Sequence, residues 1–492
     1  MRLHDLLDGL DVRELRGNRD VDVQSVVHDN RNARPGSLFC CIPGTTTDGH
    51  VYALPAVEAG AVALLVERWL DIEVPQARVE SVRRVLGPVA ARFYGEPSRA
   101  MRVLGVTGTN GKTTTTYLLE SIARAAGDRT GVVGTVGARI DDSPFELQHT
   151  TPEATDLQAL LARMRDSGTA TVAMEVSSHA LDQFRVDGTH FAATCFTNLT
   201  HDHLDYHGTI DAYFEAKARL FTSEFTRRAA IDIDDAHGRL LRERATASGL
   251  DVTTFGVDDP SADLVAVDIA LRPRDTTFTL ADSAGTRVPV RTGLVGPFNV
   301  ANALAAAATA RLAGYDLDAI IDGLGTPMVV PGRMERVDAG QDFVVVVDYA
   351  HTPDALKAAL GAARAVTSPL GRVIVVFGCG GDRDRAKRPV MGAVATALAD
   401  VAVLTSDNPR SEDPAEIAAE VLAGIPSDVH PPEVELDRRQ AIRRAFAGAR
   451  GGDVVVIAGK GHETGQTAGG VTVPFDDRLV AREELEAGSC RR

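Results

Sequence analysis

Arg102-Val103-Leu104-Gly105-Val106-Thr107-Gly108-Thr109-Asn110-Gly111-Lys112-Thr113-Thr114 is the stretch on which the fold turns. An apolar run ends on glycines, hydroxyls and a lysine, and residues from about 115 to 126 then follow a helical pattern. This order predicts strand, loop and helix around a phosphate. Glycines let the backbone come close, and successive N–H groups at a helix N-terminus hold negative charge. Lys112 can reach β- and γ-phosphates, and Thr113 can bind Mg²⁺. The strict G-x-x-x-x-G-K pattern wants Gly where Val106 stands, and Gly105 is one place early.

Outward from this loop, further apolar runs end at Gly134, Glu175 and Asn198, each followed by polar residues. That rhythm predicts a parallel α/β sheet with its site at the strand C-termini. From about 263 to 291 the period changes to two, predicting an antiparallel addition. An Ala-rich helix follows from about Asn299 to Leu312.

Upstream, Leu38–Ile42 and Val62–Val66 read as buried strands. Ser81 to Tyr94 reads as a helix capped by Ser81, and Gly95-Glu96-Pro97-Ser98 breaks it. Downstream of Arg333 one theme occurs four times: apolar run, polar loop, helix. The runs are Val344–Val347, Val373–Phe377, Val401–Leu404 and Val454–Ala458. The expected organisation is α/β in three domains: 1–98, a central P-loop-type parallel sheet with an antiparallel addition at 99–332, and a Rossmann-like domain at 333–492.

Composition agrees with this. The chain has 492 residues, and at roughly 150 per domain that is about three domains. Hydrophobic residues make up 44% and charged residues 24%, an ordinary globular mix. A net charge of -16 argues against sequence-independent nucleic-acid binding. No apolar stretch reaches the roughly 18 residues of a membrane span, and the start carries no apolar core of a secretory signal. Five cysteines without a C-x-x-C pair point to packing in a reducing cytoplasm, not to disulfides or structural zinc.

Other residues carry chemistry. Glu175 ends a strand beside the phosphate loop, where a carboxylate suits Mg²⁺; helix capping or ion pairing is the alternative. His201, His203 and His207 lie close enough to raise zinc, though loop stabilisation accounts for them equally well. Lys217 sits on a helical segment with apolar neighbours, and a solvated surface lysine is its simplest account.

Taken together, TGTNGKTTT, MEVSSHALDQFR, FTNLTHDHLDYHGT, GPFNVANALAA, PGRMERV, DYAHTPDAL, GCGGDRDRAKRP, TSDNPRSEDP and GKGHET make the chain resemble the Mur ligases, the ATP-dependent amide ligases of peptidoglycan assembly. The resemblance runs from Asp29-Asn30-Arg31 to Phe475-Asp476-Asp477-Arg478. It implies that Gly108, Thr109, Asn110, Gly111, Lys112, Thr113, Thr114, Asn299, Arg333 and Asp348 surround ATP. It implies Mg²⁺ at Thr113, Glu175, His203 and Lys217, the last carbamylated by CO₂. Asn30, Thr45, Thr46, Thr47, Thr150, Thr151, Ser177, Gln183 and Arg185 are expected to hold UDP-MurNAc-L-Ala-D-Glu. Arg383, Asp407, Asn408, Pro409, Arg410, Gly459 and Glu463 are expected to hold the incoming amino acid. Asn30 stands where Ser is usual, and His149 where Asn is expected.

The implied reaction phosphorylates a carboxylate and then aminolyses the acyl phosphate, in a cytoplasmic monomer. D-N-P-R at 407–410 resembles the form used with meso-diaminopimelate: Arg410 can pair with a distal carboxylate, whereas it would repel the ammonium of L-lysine. L-Lysine and LL-diaminopimelate are the alternative substrates. The amine must be neutral to attack, and His351 is one candidate base, with loop positioning its other role. A GTPase-like switch would carry N-K-x-D, which is absent.

Overall fold

The computed structural model describes residues 1–44 and 47–489. Its architecture is α/β, built on three main sheets and one hairpin.

The central sheet has eleven strands. Its parallel part runs Leu264–Leu271, Asp251–Gly256, Arg228–Asp232, Ala193–Phe196, Arg102–Thr107, Thr171–Glu175, Thr130–Gly134. Arg102–Thr107 lies in the middle, where the chain first builds towards one edge and later towards the other. That switch point is where an open parallel sheet leaves a crevice beyond its strand C-termini. Both faces are covered, so the strands are apolar throughout: Val103, Leu104 and Val106 are all fully buried. Gly105 leaves room for the Phe191 ring, which a Cβ would meet at 2.7 Å.

The expected antiparallel addition is present as Thr276–Asp282 and Arg287–Thr292. A second one, Gly137–Ile140 with Ser143–Phe145, covers the opposite edge and was not anticipated. The Ala-rich helix is Pro297–Leu312, and its alanines let it pack closely on the sheet. Two expected boundaries shift. The phosphate-loop helix starts at Lys112, since Gly111 takes the left-handed φ of 88° that turns the chain into it. The strand expected to reach Asn198 stops at Phe196, because the Asn198 side chain accepts the Asn110 N–H at 2.9 Å and holds the loop instead.

The first sheet has five strands, with Val12–Arg16 antiparallel at its edge. The helix beside it spans Val82–Phe93 with Ser81 as cap and carries Pro88 inside. The third sheet is ordered Glu335–Arg336, Val344–Asp348, Val454–Ala458, Val373–Phe377, Val401–Leu404, Glu433–Val434, and all but the first run parallel. The four repeated runs are thus adjacent strands whose loops share one edge. Cys40, Cys41, Cys195 and Cys379 are buried and free; Cys490 lies outside the described residues. No described helix is long and apolar enough to cross a membrane.

Candidate active site

The phosphate loop is fixed from beneath. Gly108 adopts a φ of 148°, and a side chain there would run into Thr197 Oγ1. Thr197 Oγ1 donates to the Asn110 carbonyl at 2.6 Å, and Thr109 N–H donates to the Asn198 carbonyl at 2.9 Å. Lys112 Nζ donates to the carbonyls of Gly108 and Thr109 at 2.9 and 2.8 Å. Burial pushes its pKa below the ordinary lysine value.

Lys217 is a second amine at the same loop. The helix Ile210–Ala218 carries it inward, only 1% exposed, and Nζ donates to the Gly108 carbonyl at 2.8 Å. Burial, followed by the charge of Lys112, pushes its pKa well down. The surface-lysine account therefore fails. Glu175, also 1% exposed, accepts from Thr135 N–H and Oγ1, both at 2.9 Å. It forms no ion pair among the described residues, so its charge is open to a cation. His203 has a left-handed φ of 54° and lies 3.5 Å from Asp202. The surrounding protein pushes it down to about 4, leaving a neutral imidazole able to donate a lone pair. Thr113 and Glu175 offer oxygen atoms of the kind Mg²⁺ prefers, and His203 a neutral nitrogen. Among the described residues no three His, Cys, Asp or Glu converge as a metal centre. A zinc cluster of His201, His203 and His207 is not assembled, and His207 Nε2 instead bonds Ser178 Oγ at 3.0 Å.

A cavity of about 320 Å³ extends from this loop across the strand ends. Asn110, Gly111, Thr113 and Thr114 line it at one side, Asp232, Phe255 and Phe298 elsewhere, with Arg333 and Asp348 from the third region. Arg333 Nη2 donates to Thr113 Oγ1 at 3.2 Å and its guanidinium lies over Tyr349. Asp348 is buried and accepts Met334 and Ala350 N–H groups at 2.7 and 2.8 Å; burial raises its pKa. Asn299 does not line this cavity. Its side chain donates to the Val295 carbonyl at 2.8 Å and accepts from Asn302, and Asn302 faces the cavity. The GPFNVAN motif contains both; only helical phase separates them.

A second, polar cleft of about 600 Å³ joins the central and third regions. His149, Thr150, Ser177 and Arg185 line one wall, and Arg383, Asp407, Asn408, Arg410, Gly459 and Glu463 the other. Arg410, with a φ of 54°, donates from Nη1 to the Gly381 carbonyl at 2.6 Å. It does not pair with Glu412, which Arg388 holds at 2.8 Å. Asn408 bridges Glu463, 2.7 Å, and buried Lys460, 3.2 Å. The Arg438–Asp477 ion pair, 2.6 Å and fully buried, stands behind the loop, and Arg438 also donates to the carbonyls of Ser406 and Ala458.

Other expected residues line neither cavity. Thr151 donates to the Glu175 carbonyl at 2.9 Å. Gln183 accepts from Arg185 at 2.7 Å. Asn30 opens a short turn capped by Asp29. Pro409 shapes the loop that presents Arg410. Thr47 is exposed; Thr45 and Thr46 lie outside the described residues. Residues not singled out from the sequence include Lys387, Tyr349 and Asp202 in the cleft, and Thr135, Lys460 and Asn302. Their neighbours in the motifs were the only available signal.

Comparison with known proteins shows the family. Family models match in three stretches: "Mur ligase family, catalytic domain" at 22–94, "Mur ligase middle domain" at 106–310, and "Mur ligase, glutamate ligase domain" at 332–461. A Streptomyces avermitilis protein named UDP-N-acetylmuramoyl-L-alanyl-D-glutamate--2,6-diaminopimelate ligase is 47% identical, over 95% of this chain and 93% of its own. A Geobacillus thermodenitrificans protein of the same name is 45% identical, over 99% of both. A solved structure with that name superposes with a TM-score of 0.72 at 35% identity, over 99% of each chain. The ADP complex of the MurF ligase from Thermotoga maritima shares the fold, with a TM-score of 0.64 at 18% identity, over 96% of this chain and 100% of that one. With a phosphate loop, a polar cleft between two parallel sheets and relatives matching end to end, the chain belongs to the Mur ligase family.

Proposed function

We propose that this chain is an ATP-dependent ligase that joins meso-2,6-diaminopimelate to UDP-MurNAc-L-Ala-D-Glu, releasing ADP and phosphate, in peptidoglycan assembly. The observation that carries this is the shared cleft: substrate-side residues Thr150, Ser177 and Arg185 face amino-acid-side residues Arg383, Asp407 and Arg410 across one space. The close relatives named for this reaction support the substrate pair. We divide the chain into 1–98 for the UDP moiety, 99–332 for ATP and 333–492 for the amino acid, and place the enzyme as a monomer in the cytoplasm.

The chemistry follows from charge. The D-Glu γ-carboxylate attacks the γ-phosphorus and ADP leaves, giving an acyl phosphate. Two anions meet in that step, and Lys112 and Arg333 offset their repulsion. Thr113, Glu175, His203 and the carbamate of Lys217 would hold Mg²⁺, which when bound supplies further positive charge to the phosphates. The diaminopimelate amine then attacks the acyl carbon and phosphate leaves.

His351 is the base for the amine. Its Nδ1 lies 2.8 Å from the Tyr349 carbonyl, an acceptor only, so Nδ1 carries the proton and Nε2 the lone pair. Burial, followed by Lys387, pushes its pKa below the ordinary histidine value and keeps it neutral. His351 lines the cleft beside the amino-acid wall.

The test is an assay with UDP-MurNAc-L-Ala-D-Glu, ATP and a panel of amino acids, reading phosphate release and product mass. Phosphate release requiring both substrates, with the mass of the diaminopimelate product, is expected. Preference for L-lysine would overturn the substrate assignment, and nucleotide hydrolysis without ligation would overturn the reaction.

A further inference from the structure

The amino-acid wall of the cleft is held from behind by a hairpin that lines neither cavity. Gly465–Ala468 and Val471–Pro474 pair antiparallel with Ala468 opposite Val471, so Gly469 and Gly470 alone make the turn. Their φ values are 57° and 78°. Positive φ at both central residues is what a tight two-residue hairpin turn requires. The first strand reaches the 407–410 loop, where Arg410 bridges to Ala468 in parallel sense. Arg410 N–H donates to the Thr467 carbonyl at 2.9 Å, and the Arg410 carbonyl accepts from Gly469 N–H at 2.6 Å. These two bonds flank a residue whose left-handed φ of 54° is disfavoured for any side chain beyond glycine, so the hairpin holds Arg410 in place.

Side chains complete the attachment. Gln466 Nε2 donates to the Asp407 carbonyl at 2.7 Å, and Thr467 N–H donates to Asn408 Oδ1 at 3.0 Å. Lys460 is fully buried, and an ammonium has three N–H donors. They go to three segments: Asn408 Oδ1 at 3.2 Å, Glu463 Oε2 at 3.1 Å and the Gly465 carbonyl at 2.6 Å. No donor of Lys460 is left for a ligand. Asn408 Nδ2 donates to the same Glu463 Oε2 at 2.7 Å. Glu463 lines the cleft, and its other oxygen, Oε1, has no hydrogen-bond partner among the described residues. The two donors on Oε2 therefore fix where Oε1 lies.

The free end of an amino acid carries an ammonium and a carboxylate on one carbon. Recognising both takes an acceptor and a cationic fork at a fixed mutual position. Here the acceptor, Glu463, and the fork, Arg410, stand on different loops, and Lys460 with the hairpin is what ties one loop to the other. We propose that Lys460 and Gln466 are positioning residues for the choice of amino acid: neither touches it, and through the hairpin they fix Glu463 and Arg410 relative to each other. Without Lys460, Glu463 Oε2 would lose its cation, and Asn408 Oδ1 would keep Thr467 N–H alone. The inference rests on the amino-acid wall assigned under Proposed function.

Steady-state ligation by the full chain, with diaminopimelate varied and the other two substrates saturating, tests the proposal. Gln466→Ala removes one hydrogen bond at a half-buried position, so the fold should survive. Its KM for diaminopimelate is expected to rise about threefold to tenfold, with kcat and the KM for ATP preserved. Lys460→Met is expected to lower kcat/KM for diaminopimelate by about thirtyfold or more. The same change made in Glu463→Gln should cost much less, because its effect runs through that carboxylate. A lysine that served the fold alone would cost the same in both backgrounds, so additive losses overturn the proposal. An unchanged diaminopimelate KM in Gln466→Ala also overturns it, and that variant decides the matter if Lys460→Met does not fold. A parent chain that does not ligate diaminopimelate overturns the proposed function itself, a different failure from a working parent with indifferent variants.

Discussion

Lys112 and Lys217 both donate to one oxygen, the Gly108 carbonyl, at 2.9 and 2.8 Å. Two ammonium groups on one acceptor repel each other, and Lys217, wholly enclosed, is the one whose pKa is driven furthest down. A neutral amine is what CO₂ reacts with, and the resulting carbamate would turn repulsion into attraction. Labelling with ¹³CO₂ is expected to give a carbamate carbon signal that Lys217→Ala lacks. The variant should lose about 10²–10³-fold in turnover and recover partly with a small carboxylate. Full activity in CO₂-free buffer would sink the assignment.

In the proposed reaction Lys112→Ala removes a charge that offsets the repulsion at the transferred phosphoryl group. About 3–4 kcal/mol of transition-state stabilisation should go, which is roughly 10²–10³-fold in kcat. Steady-state phosphate release checks this, and near-parental turnover would mean that the loop does not hold the phosphates.

Arg410 is held in a left-handed conformation with its guanidinium at the cleft wall. Arg410→Ala should cost about 2–5 kcal/mol in diaminopimelate recognition, since it leaves a ligand carboxylate unpaired. Nucleotide affinity should not change. Competition between diaminopimelate and lysine before and after the substitution measures it.

Asp232 predicts a slope of stability against pH. Its folded-state pKa of about 7 lies above the unaltered 3.8. Below 3.8 both states are protonated and folding carries no penalty. Between about 4 and 7 the unfolded chain ionises first, so stability falls as pH rises, and above 7 the loss is complete. Asp232→Asn should therefore be more stable than the parent at pH 8 by roughly 2–4 kcal/mol and equal to it below pH 4. Denaturant midpoints at the two pH values decide it.

In the proposed reaction, amide formation requires the third region to bring its amino acid to the acyl phosphate. Arg333 Nη2 on Thr113 Oγ1, at 3.2 Å, is one contact that joins it to the phosphate loop. Scattering profiles should contract when nucleotide and both substrates are added, and invariant profiles would count against closure.

Much of this was legible in the chain. Strand-to-helix transitions around Thr107–Thr114 and the four apolar runs beyond Arg333 are local patterns, and they became the parallel sheets they resembled. The Gly137–Phe145 hairpin was not legible, because its strands are only four and three residues long. Asn302 was missed in favour of Asn299 because both lie on one helix, and which faces the cavity depends on packing. Lys217 looked like a surface residue from its segment alone; only the tertiary position of its helix buries it. Asp232 drew no notice, since nothing local distinguishes it from the aspartates that follow.

The buried Arg438–Asp477 pair has a consequence for dissecting the protein. Asp477 begins the last helix, Asp477–Ser489, yet its partner braces the carbonyls of Ser406 and Ala458, directly before Asp407 and Gly459. Removal of that helix would strand a guanidinium in the interior, a defect of several kcal/mol. The damage would surface as slack in the loop that carries Asn408 and Arg410. Chain shortening that removes this helix should therefore loosen that loop.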